Sequence, residues 1–102
     1  MSEPVLTEND VDAAVDEQRL NWSREGDELV ATVKLHDFKA ALDFVNAVGE
    51  AAEAANHHPD IDIRWNTVRL GLSTHDSGGI TLLDLALAGA IDRLRPDERS
   101  GE

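Results

Sequence analysis

Three histidines between residues 53 and 84 are the part of this 102-residue chain best suited to chemistry. His57 and His58 stand side by side before Pro59, and His75 follows eighteen residues after His57. Imidazole titrates near pH 6.5 in water, so it gives or takes a proton near neutrality. Glu53 lies four residues before His57, where a continuing helix would let its carboxylate accept a hydrogen bond from the ring. The pattern predicts acid–base chemistry.

Hydrophobic periodicity predicts the elements that must position these histidines. Apolar residues that alternate with polar ones indicate two hairpins, and apolar residues three or four apart indicate three helices. The predicted elements are a helix from Thr7 to about Gln18, strands at 20–25 and 28–36, a helix capped by Asp37 that ends near residue 56 or 57, strands over 61–65 and 68–72, and a helix capped by Thr81. The order α-β-β-α-β-β-α indicates an α+β fold in which three helices cover one face of a four-stranded antiparallel sheet.

The same pattern predicts which residues pack and where the chain turns. The long helix is predicted to bury Phe38, Ala41, Leu42, Val45, Val48 and Ala52, and the last helix Leu83, Leu87, Ile91 and Leu94. The last helix also carries Leu82, Leu85 and Ala86 off this stripe, which favours a subunit interface. Asn66-Thr67 is the predicted turn of the second hairpin. Trp22 and Trp65 are expected to pack in the core or at an interface, with ligand stacking as the alternative.

The net charge of the chain limits the classes of molecule that it can bind. Twenty-one acidic and nine basic residues give a net charge of -12, and such a surface repels nucleic acids and anionic membranes. Our hypothesis is adaptation to a salty cytoplasm, where screening weakens self-repulsion; the alternative is a merely acidic mesophilic protein.

Other features of the sequence indicate its domain organisation and the cellular compartment in which we expect the protein. The absence of cysteine excludes disulfides and thiolate metal sites. The first residues lack the pattern of a signal peptide, and no apolar run reaches the roughly 20 residues that span a bilayer. We expect a soluble, cytoplasmic protein with one domain over residues 1–102. Its ordered core runs over about 6–95, with residues 1–6 a loose terminus and the tail after Arg95 frayed.

Several interpretations other than a pair of acid–base histidines also have to be considered. Each can be a solvated surface group, which is how we interpret His36, since nothing accompanies it. Three imidazoles with Asp60, Asp62 or Asp76 offer zinc ligands, although adjacent histidines rarely face one ion. A Ser-His-Asp triad of Ser73, His75 and Asp76 conflicts with the alternation of a strand. Asp84 stands three residues after Thr81, so a helix capping box explains it at least as well as catalysis does.

One combination of motifs is specific. The run Glu53-x3-His57-His58-Pro59, the aromatic Trp65, the triplet Ser73-Thr74-His75 and the later Asp84 resemble the pterin-4a-carbinolamine dehydratase family. The resemblance covers about residues 6–95. It implies dehydration of 4a-hydroxytetrahydropterin to quinonoid dihydropterin, with no metal or organic cofactor, in a homodimer or homotetramer. The alternative is a non-catalytic partner or assembly protein on the same fold.

The resemblance also implies roles for individual residues. His57 and His75 form the acid–base pair, in either order, while His58 orients the substrate and Glu53 polarises His57. The walls of the pterin site are then formed by Asn56, His57 and His58 on one side and by Ser73, Thr74, His75 and Asp76 on the other.

Overall fold

The computed structural model describes residues 3–96 and confirms the predicted α+β fold. Its elements are α1 (Glu8–Glu17), β1 (Ser23–Glu25), β2 (Glu28–Lys34), α2 (Phe38–Ala55), β3 (Asp60–Arg64), β4 (Thr67–Leu72) and α3 (Leu82–Asp92). The strands form one antiparallel sheet in the order β1-β2-β4-β3, so β2 and β4 are central. No helix within residues 3–96 is long and apolar enough to cross a membrane.

Side chains at the helix starts explain where the helices begin. Thr7 and Asp10 form a capping box at α1, and Thr81 and Asp84 form the same motif at α3. Asp37 accepts a hydrogen bond from the Ala40 backbone amide at 2.8 Å at the start of α2. Each cap satisfies a backbone donor that the first helical turn leaves without a partner. All three predicted helix starts are confirmed.

The core lies between the helices and one face of the sheet. Alternate residues of β2 and β4 are buried on this face: Leu29, Ala31, Val33, Val68, Leu70 and Leu72. The buried residues of α2 are Ala41, Phe44, Val48 and Ala52. The prediction was wrong for Phe38 and Leu42, which are exposed. Phe38 is the first helical residue, and Leu42 is turned about 100° from Ala41.

The buried face of α3 also differs from the predicted stripe. Leu87 and Ile91 are buried as expected, but Leu83 is exposed and Leu85 is buried in its place. Leu94, which follows the helix, is exposed as well. This helix therefore turns a different side to the sheet and leaves leucines at its start facing outward.

The two tryptophans have different environments. Trp22 is buried, and its Nε1 donates a hydrogen bond to Asp92 Oδ1 at 2.9 Å. Asp92 also accepts from the Asn21 backbone amide at 2.9 Å. The strand predicted over 20–25 was wrong at its start, because β1 begins only at Ser23 and has three residues. Trp65 lies in the turn, has φ 55° and is 67% exposed. Trp65 therefore lies outside the core, because the turn comprises Trp65-Asn66, one residue earlier than expected; packing at an interface and ligand stacking stay predictions for this residue.

Two contacts hold the N-terminal part of the chain in place, one between β1 and α1 and one at Leu6. The Arg24 guanidinium of β1 donates to Asp12 Oδ1 of α1 at 3.1 Å, and this hydrogen bond raises the pKa of Arg24 above its ordinary value. The Leu6 backbone amide donates to the Ile80 carbonyl at 2.8 Å. The looseness of residues 1–6 stays a prediction, and the predicted fraying after Arg95 falls almost wholly outside the described residues.

Candidate active site

The end of α2 positions the first two histidines. Asn56 adopts a left-handed conformation, with φ 51° and ψ 43°. Its backbone amide donates to the Glu53 carbonyl at 3.1 Å, and the His57 amide donates to the Ala52 carbonyl at 3.0 Å. These two bonds define a Schellman motif, in which Asn is one of the few residues suited to the left-handed position. The motif turns the chain sharply, so His57 and His58 leave the helix in a new direction.

The segment after β4 positions the third histidine. Thr74 and Gly79 form an isolated antiparallel bridge, and the Thr74 carbonyl accepts from the backbone amides of Ser77 and Gly78. Gly78 has φ 83°, a conformation that glycine adopts without strain. Because β3 and β4 are antiparallel, the end of β4 lies beside the start of β3. His75 is thereby brought to the end of the sheet where His57 and His58 lie.

A cavity of about 220 Å³ lies between these two segments. It contains three of the chain's four histidines, together with neutral polar side chains and one carboxylate. Its lining residues are Asn56, His57, His58, Ser73, Thr74, His75 and Asp76. The structure thus brings together all seven residues that the resemblance assigned to the pterin site. His36 is exposed after β2, at the opposite end of the sheet.

Asp84 connects this cavity to the start of α3. Its carboxylate is fully buried, and Oδ1 lies 2.5 Å from His57 Nε2. The other oxygen accepts from the Thr74 hydroxyl at 2.8 Å and from the Thr81 backbone amide at 2.9 Å. An ionised carboxylate only accepts, so this contact requires a proton on Nε2 of His57. Asp84 therefore completes the capping box of α3 and contacts a cavity histidine at the same time.

Glu53 has a different partner from the one expected. Its Oε2 lies 2.5 Å from His58 Nε2, whereas His57 contacts Asp84. The expected Glu53–His57 contact is absent because the left-handed Asn56 breaks the helical spacing on which it depended. The two histidines also differ in exposure: the side chain of His57 is 11% exposed and that of His58 is 58% exposed. Solvent therefore screens the Glu53–His58 pair far more than the Asp84–His57 pair.

Metal ligation has no support in the geometry of the described residues. Within residues 3–96, no three His, Asp or Glu side chains converge in positions to hold a metal ion. Of the three aspartates considered as zinc ligands, Asp60 and Asp62 lie on β3, and Asp76 lines the cavity with the histidines.

Comparison with known proteins identifies the family. A family model described as "Pterin 4 alpha carbinolamine dehydratase" matches residues 4–94. The chain belongs to this family. A relative from Chloroflexus aurantiacus, provisionally named pterin-4-alpha-carbinolamine dehydratase, is 58% identical over 77 residues, or 76% of this chain and 83% of the relative. A Mycobacterium tuberculosis protein with the same provisional name is 49% identical over 90 residues, 88% of this chain and 95% of its own length.

Solved structures agree with this membership in the dehydratase family. A Brucella melitensis protein described as a transcriptional coactivator/pterin dehydratase superposes with a TM-score of 0.83 at 27% identity, covering 90% of this chain and 99% of that protein. A pterin dehydratase-like protein described as a RuBisCO assembly factor of the alpha-carboxysome has a TM-score of 0.61 at 18% identity, covering 78% and 92%. At that identity the second similarity concerns the fold alone.

Proposed function

We propose that this chain is a cytoplasmic dehydratase that converts 4a-hydroxytetrahydropterin to quinonoid dihydropterin and water, in support of pterin recycling. The observation that supports this most is the cavity in which His57, His58 and His75 meet. In the reaction the 4a-hydroxyl takes a proton and leaves as water. The adjacent ring nitrogen loses its proton, and its electron pair forms the new C=N bond. One group must donate a proton and another must accept one, which suits a pair of imidazoles near neutral pH.

His57 and His75 are the proposed acid–base pair, in either order. His57 Nε2 is occupied by Asp84, so Nδ1 is the nitrogen that exchanges a proton with the substrate. The buried Asp84 carboxylate keeps the ring in one tautomer and one orientation, which lets Nδ1 act without a prior reorganisation. His75 approaches from the loop after β4, on the other side of the cavity.

The remaining polar residues are proposed to bind and orient the pterin. His58, held by Glu53, and Asn56 contribute from the end of α2. Ser73, Thr74 and Asp76 contribute from the opposite wall, where hydroxyl and carboxylate groups match the amide and amino groups of a pterin ring.

The test is dehydration of 4a-hydroxytetrahydropterin by stopped-flow absorbance in 2 M KCl. We expect His57→Ala and His75→Ala each to lower kcat by about 10²–10⁴-fold, the usual contribution of a general acid or base. His36→Ala is the matched control, because it removes an exposed imidazole at the other end of the sheet. If the folded wild type dehydrates the substrate no faster than buffer does, the proposed dehydratase function is refuted.

The second candidate is a non-catalytic partner protein, and the exposed start of α3 favours it. Leu82 is 61% exposed and Leu83 lies beside it, also exposed. The Brucella melitensis relative is described as a coactivator as well as a dehydratase. The two functions separate by mutation: Leu82→Asp would impair partner binding and spare dehydration, whereas His57→Ala would do the reverse.

We also propose that the chain forms a homodimer or homotetramer. The support is the set of large apolar side chains left exposed on α2 and α3, which includes Phe38, Leu42 and Leu82. Such groups mark interaction surfaces when they are contiguous. Light scattering across a salt series tests this, and a monomer at every salt concentration would contradict it.

A further inference from the structure

A cavity away from the proposed pterin site lies where the ends of α1 and α3 meet. It has a volume of about 410 Å³, within the range of about 300–1,000 Å³ that is usual for small-molecule sites. Residues 18–21 line it from the α1–β1 connection, and Gly89, Asp92 and Arg93 line it from the end of α3. It shares no lining residue with the cavity that contains the three histidines. Asp84 stands near the other end of α3, about 12 Å from Asp92 along the helix axis.

Two arginine side chains at this cavity have no partner of opposite charge in the part of the chain that the structure describes. Of the nine basic residues of the chain, eight lie within residues 3–96. Ion pairs to carboxylates hold five of these eight, namely Arg24, Lys39, Arg64, Arg69 and Arg95. Of the other three, Arg19 and Arg93 line the cavity, and Lys34 lies on β2. The guanidinium groups of Arg19 and Arg93, the cavity arginines, are therefore available to an anion.

Asp92 is the carboxylate among the described residues that line the cavity, and its oxygens are already engaged. Oδ2 accepts from the Asn21 backbone amide and Oδ1 accepts from Trp22 Nε1, both at 2.9 Å. The Arg95 guanidinium lies 3.8 Å from Oδ1. Because these donors hold Asp92 in place, it forms no ion pair with either of the cavity arginines. The cavity therefore has an excess of positive charge on a chain whose net charge is -12.

Arg19 occupies a backbone position that is unfavourable for arginine. It follows the last residue of the α1 cap with φ 54°, and the Leu20 backbone amide donates to the Val15 carbonyl at 3.0 Å, as in a Schellman motif. Glycine is usual in this left-handed position, because a residue with a Cβ atom is strained there. Strained residues of this kind cluster at ligand clamps and other functional sites. Arginine in place of glycine brings a guanidinium group to the cavity at the expense of backbone strain.

Gly89 is a second exception to local preference, on the α3 side of the cavity. It lies in the interior of the helix, where glycine is less favourable than alanine because it loses more conformational freedom on folding. A Cβ atom here would meet Arg93 Nη1 and Leu20 Cδ2 at 3.9 Å, an ordinary packing distance. Packing therefore does not require glycine, and its effect is to keep the cavity open. Exceptions to local preference are typical of functional sites, and two of them line this cavity.

We propose that this cavity binds a phosphate monoester of a small organic molecule, with Arg19 and Arg93 holding the phosphoryl group. A dianionic phosphoryl group matches the two positive charges, and guanidinium groups form bidentate hydrogen bonds with its oxygens. A single carboxylate would leave one of the two guanidinium groups without a partner. The cavity is larger than a phosphate ion, and Leu20 and Gly89 offer an apolar surface to the organic part of the ligand. Because the cavity is separate from the histidines, the proposal does not depend on the dehydratase function.

Isothermal titration calorimetry of the full chain tests the site with phenyl phosphate as the probe. Near pH 7.5 a phosphate monoester carries close to two negative charges. We expect one molecule to bind per chain, at least tenfold more tightly than inorganic phosphate or benzoate. Arg19→Gln and Arg93→Gln should each weaken phenyl phosphate binding by about tenfold or more, the factor that one hydrogen bond between charged groups supplies.

Lys34→Gln is the matched control. It removes the third basic side chain without a partner among residues 3–96 and changes the net charge by the same amount, but Lys34 is exposed on β2 and does not line the cavity. Its affinity for phenyl phosphate should equal that of the wild type. An equal loss in Lys34→Gln and in the variants of the cavity arginines would overturn the proposal, because it would show a general effect of charge. The absence of binding to the wild type, or equal affinity for phenyl phosphate and inorganic phosphate, would also overturn it.

Arg19→Gly separates a role in binding from a role in the fold. The change relieves the backbone strain and removes the guanidinium group, so the variant without ligand should melt at a higher temperature than the wild type. Phenyl phosphate should raise the melting temperature of the wild type, because it binds the folded state, and should leave that of Arg19→Gly unchanged. A lower melting temperature for the variant without ligand would indicate that Arg19 serves the fold, and this result would overturn the proposal. A ligand-induced rise as large as that of the wild type would overturn it too.

Discussion

Replacing Asp84 with Asn changes one oxygen of a buried carboxylate into an amide nitrogen. The carboxylate receives two donors at Oδ2, from Thr74 and Thr81, and contacts His57 Nε2 at Oδ1. An amide has only one acceptor atom. The arrangement that preserves most bonds keeps the amide oxygen toward Thr74 and Thr81 and directs the NH₂ group at His57.

The expected losses in stability and in kcat follow from the contact between the new amide group and His57. If His57 keeps its Nε2 proton, two donors face each other 2.5 Å apart at a buried position. A buried polar group without a partner costs about 1–3 kcal/mol, which is the expected loss in the free energy of unfolding. If the ring instead moves its proton to Nδ1, Nε2 can accept from the amide. Nδ1, which faces the cavity, then carries the proton and cannot accept one from the substrate. In that case kcat should fall by about 10²–10⁴-fold.

The assay pairs stopped-flow kinetics over a pH series with urea unfolding. We expect kcat of Asp84→Asn to fall much more than KM changes, and the pH profile of kcat to shift. Asp10→Asn is the matched control, because Asp10 occupies the same capping-box position in α1 with no histidine beside it. A variant that loses stability but keeps kcat within threefold of the wild type would refute a positioning role for Asp84.

Two further predictions concern stability. Asn56→Ala should lower the free energy of unfolding in urea by about 1–2 kcal/mol, because φ 51° is strained for a residue with an ordinary Cβ. Asn56→Gly should be tolerated, since glycine adopts this conformation without strain. Equal stabilities for the two variants would contradict the left-handed geometry. The melting temperature of the wild type should rise between 0.1 and 2 M KCl, because salt screens the repulsion within a surface of net charge -12. A maximum of stability at low salt, measured by calorimetry, would refute the adaptation to salt.

The sequence was most informative where the physics is local. Helix caps depend on residues three apart, so Thr7, Asp37 and Thr81 were sufficient to predict three helix starts. The strand alternation predicted the sheet for the same reason. Trp65 shows the limit of such reasoning: alternation placed it in a strand, yet a two-residue turn needs a position with positive φ, and Trp65 takes it.

The site could be predicted as a set of residues but not as a set of contacts. The resemblance supplied the seven residues that line the cavity, whereas the pairing of Glu53 with His58 depends on the backbone of the single residue Asn56. Asn before a His-His-Pro run was the available signal, since Asn is favoured in the left-handed position after a helix. The Asp84–His57 contact joins residues 27 apart, and no local pattern encodes such a distance.

The hydrogen bond from Ser77 to the Glu3 carbonyl has a consequence for biosynthesis. It joins residues 74 apart and fastens the loop that carries His75 to the beginning of the chain. Trp22 and Asp92, 70 apart, are joined in the same way. At a translation rate of about 5–20 residues per second, Glu3 waits about 4–15 s for its partner to be synthesised. A nascent chain therefore lacks a complete site until Asp84 has been translated, and a ribosome stalled before α3 holds all four strands of the sheet without the helix that covers part of its apolar face.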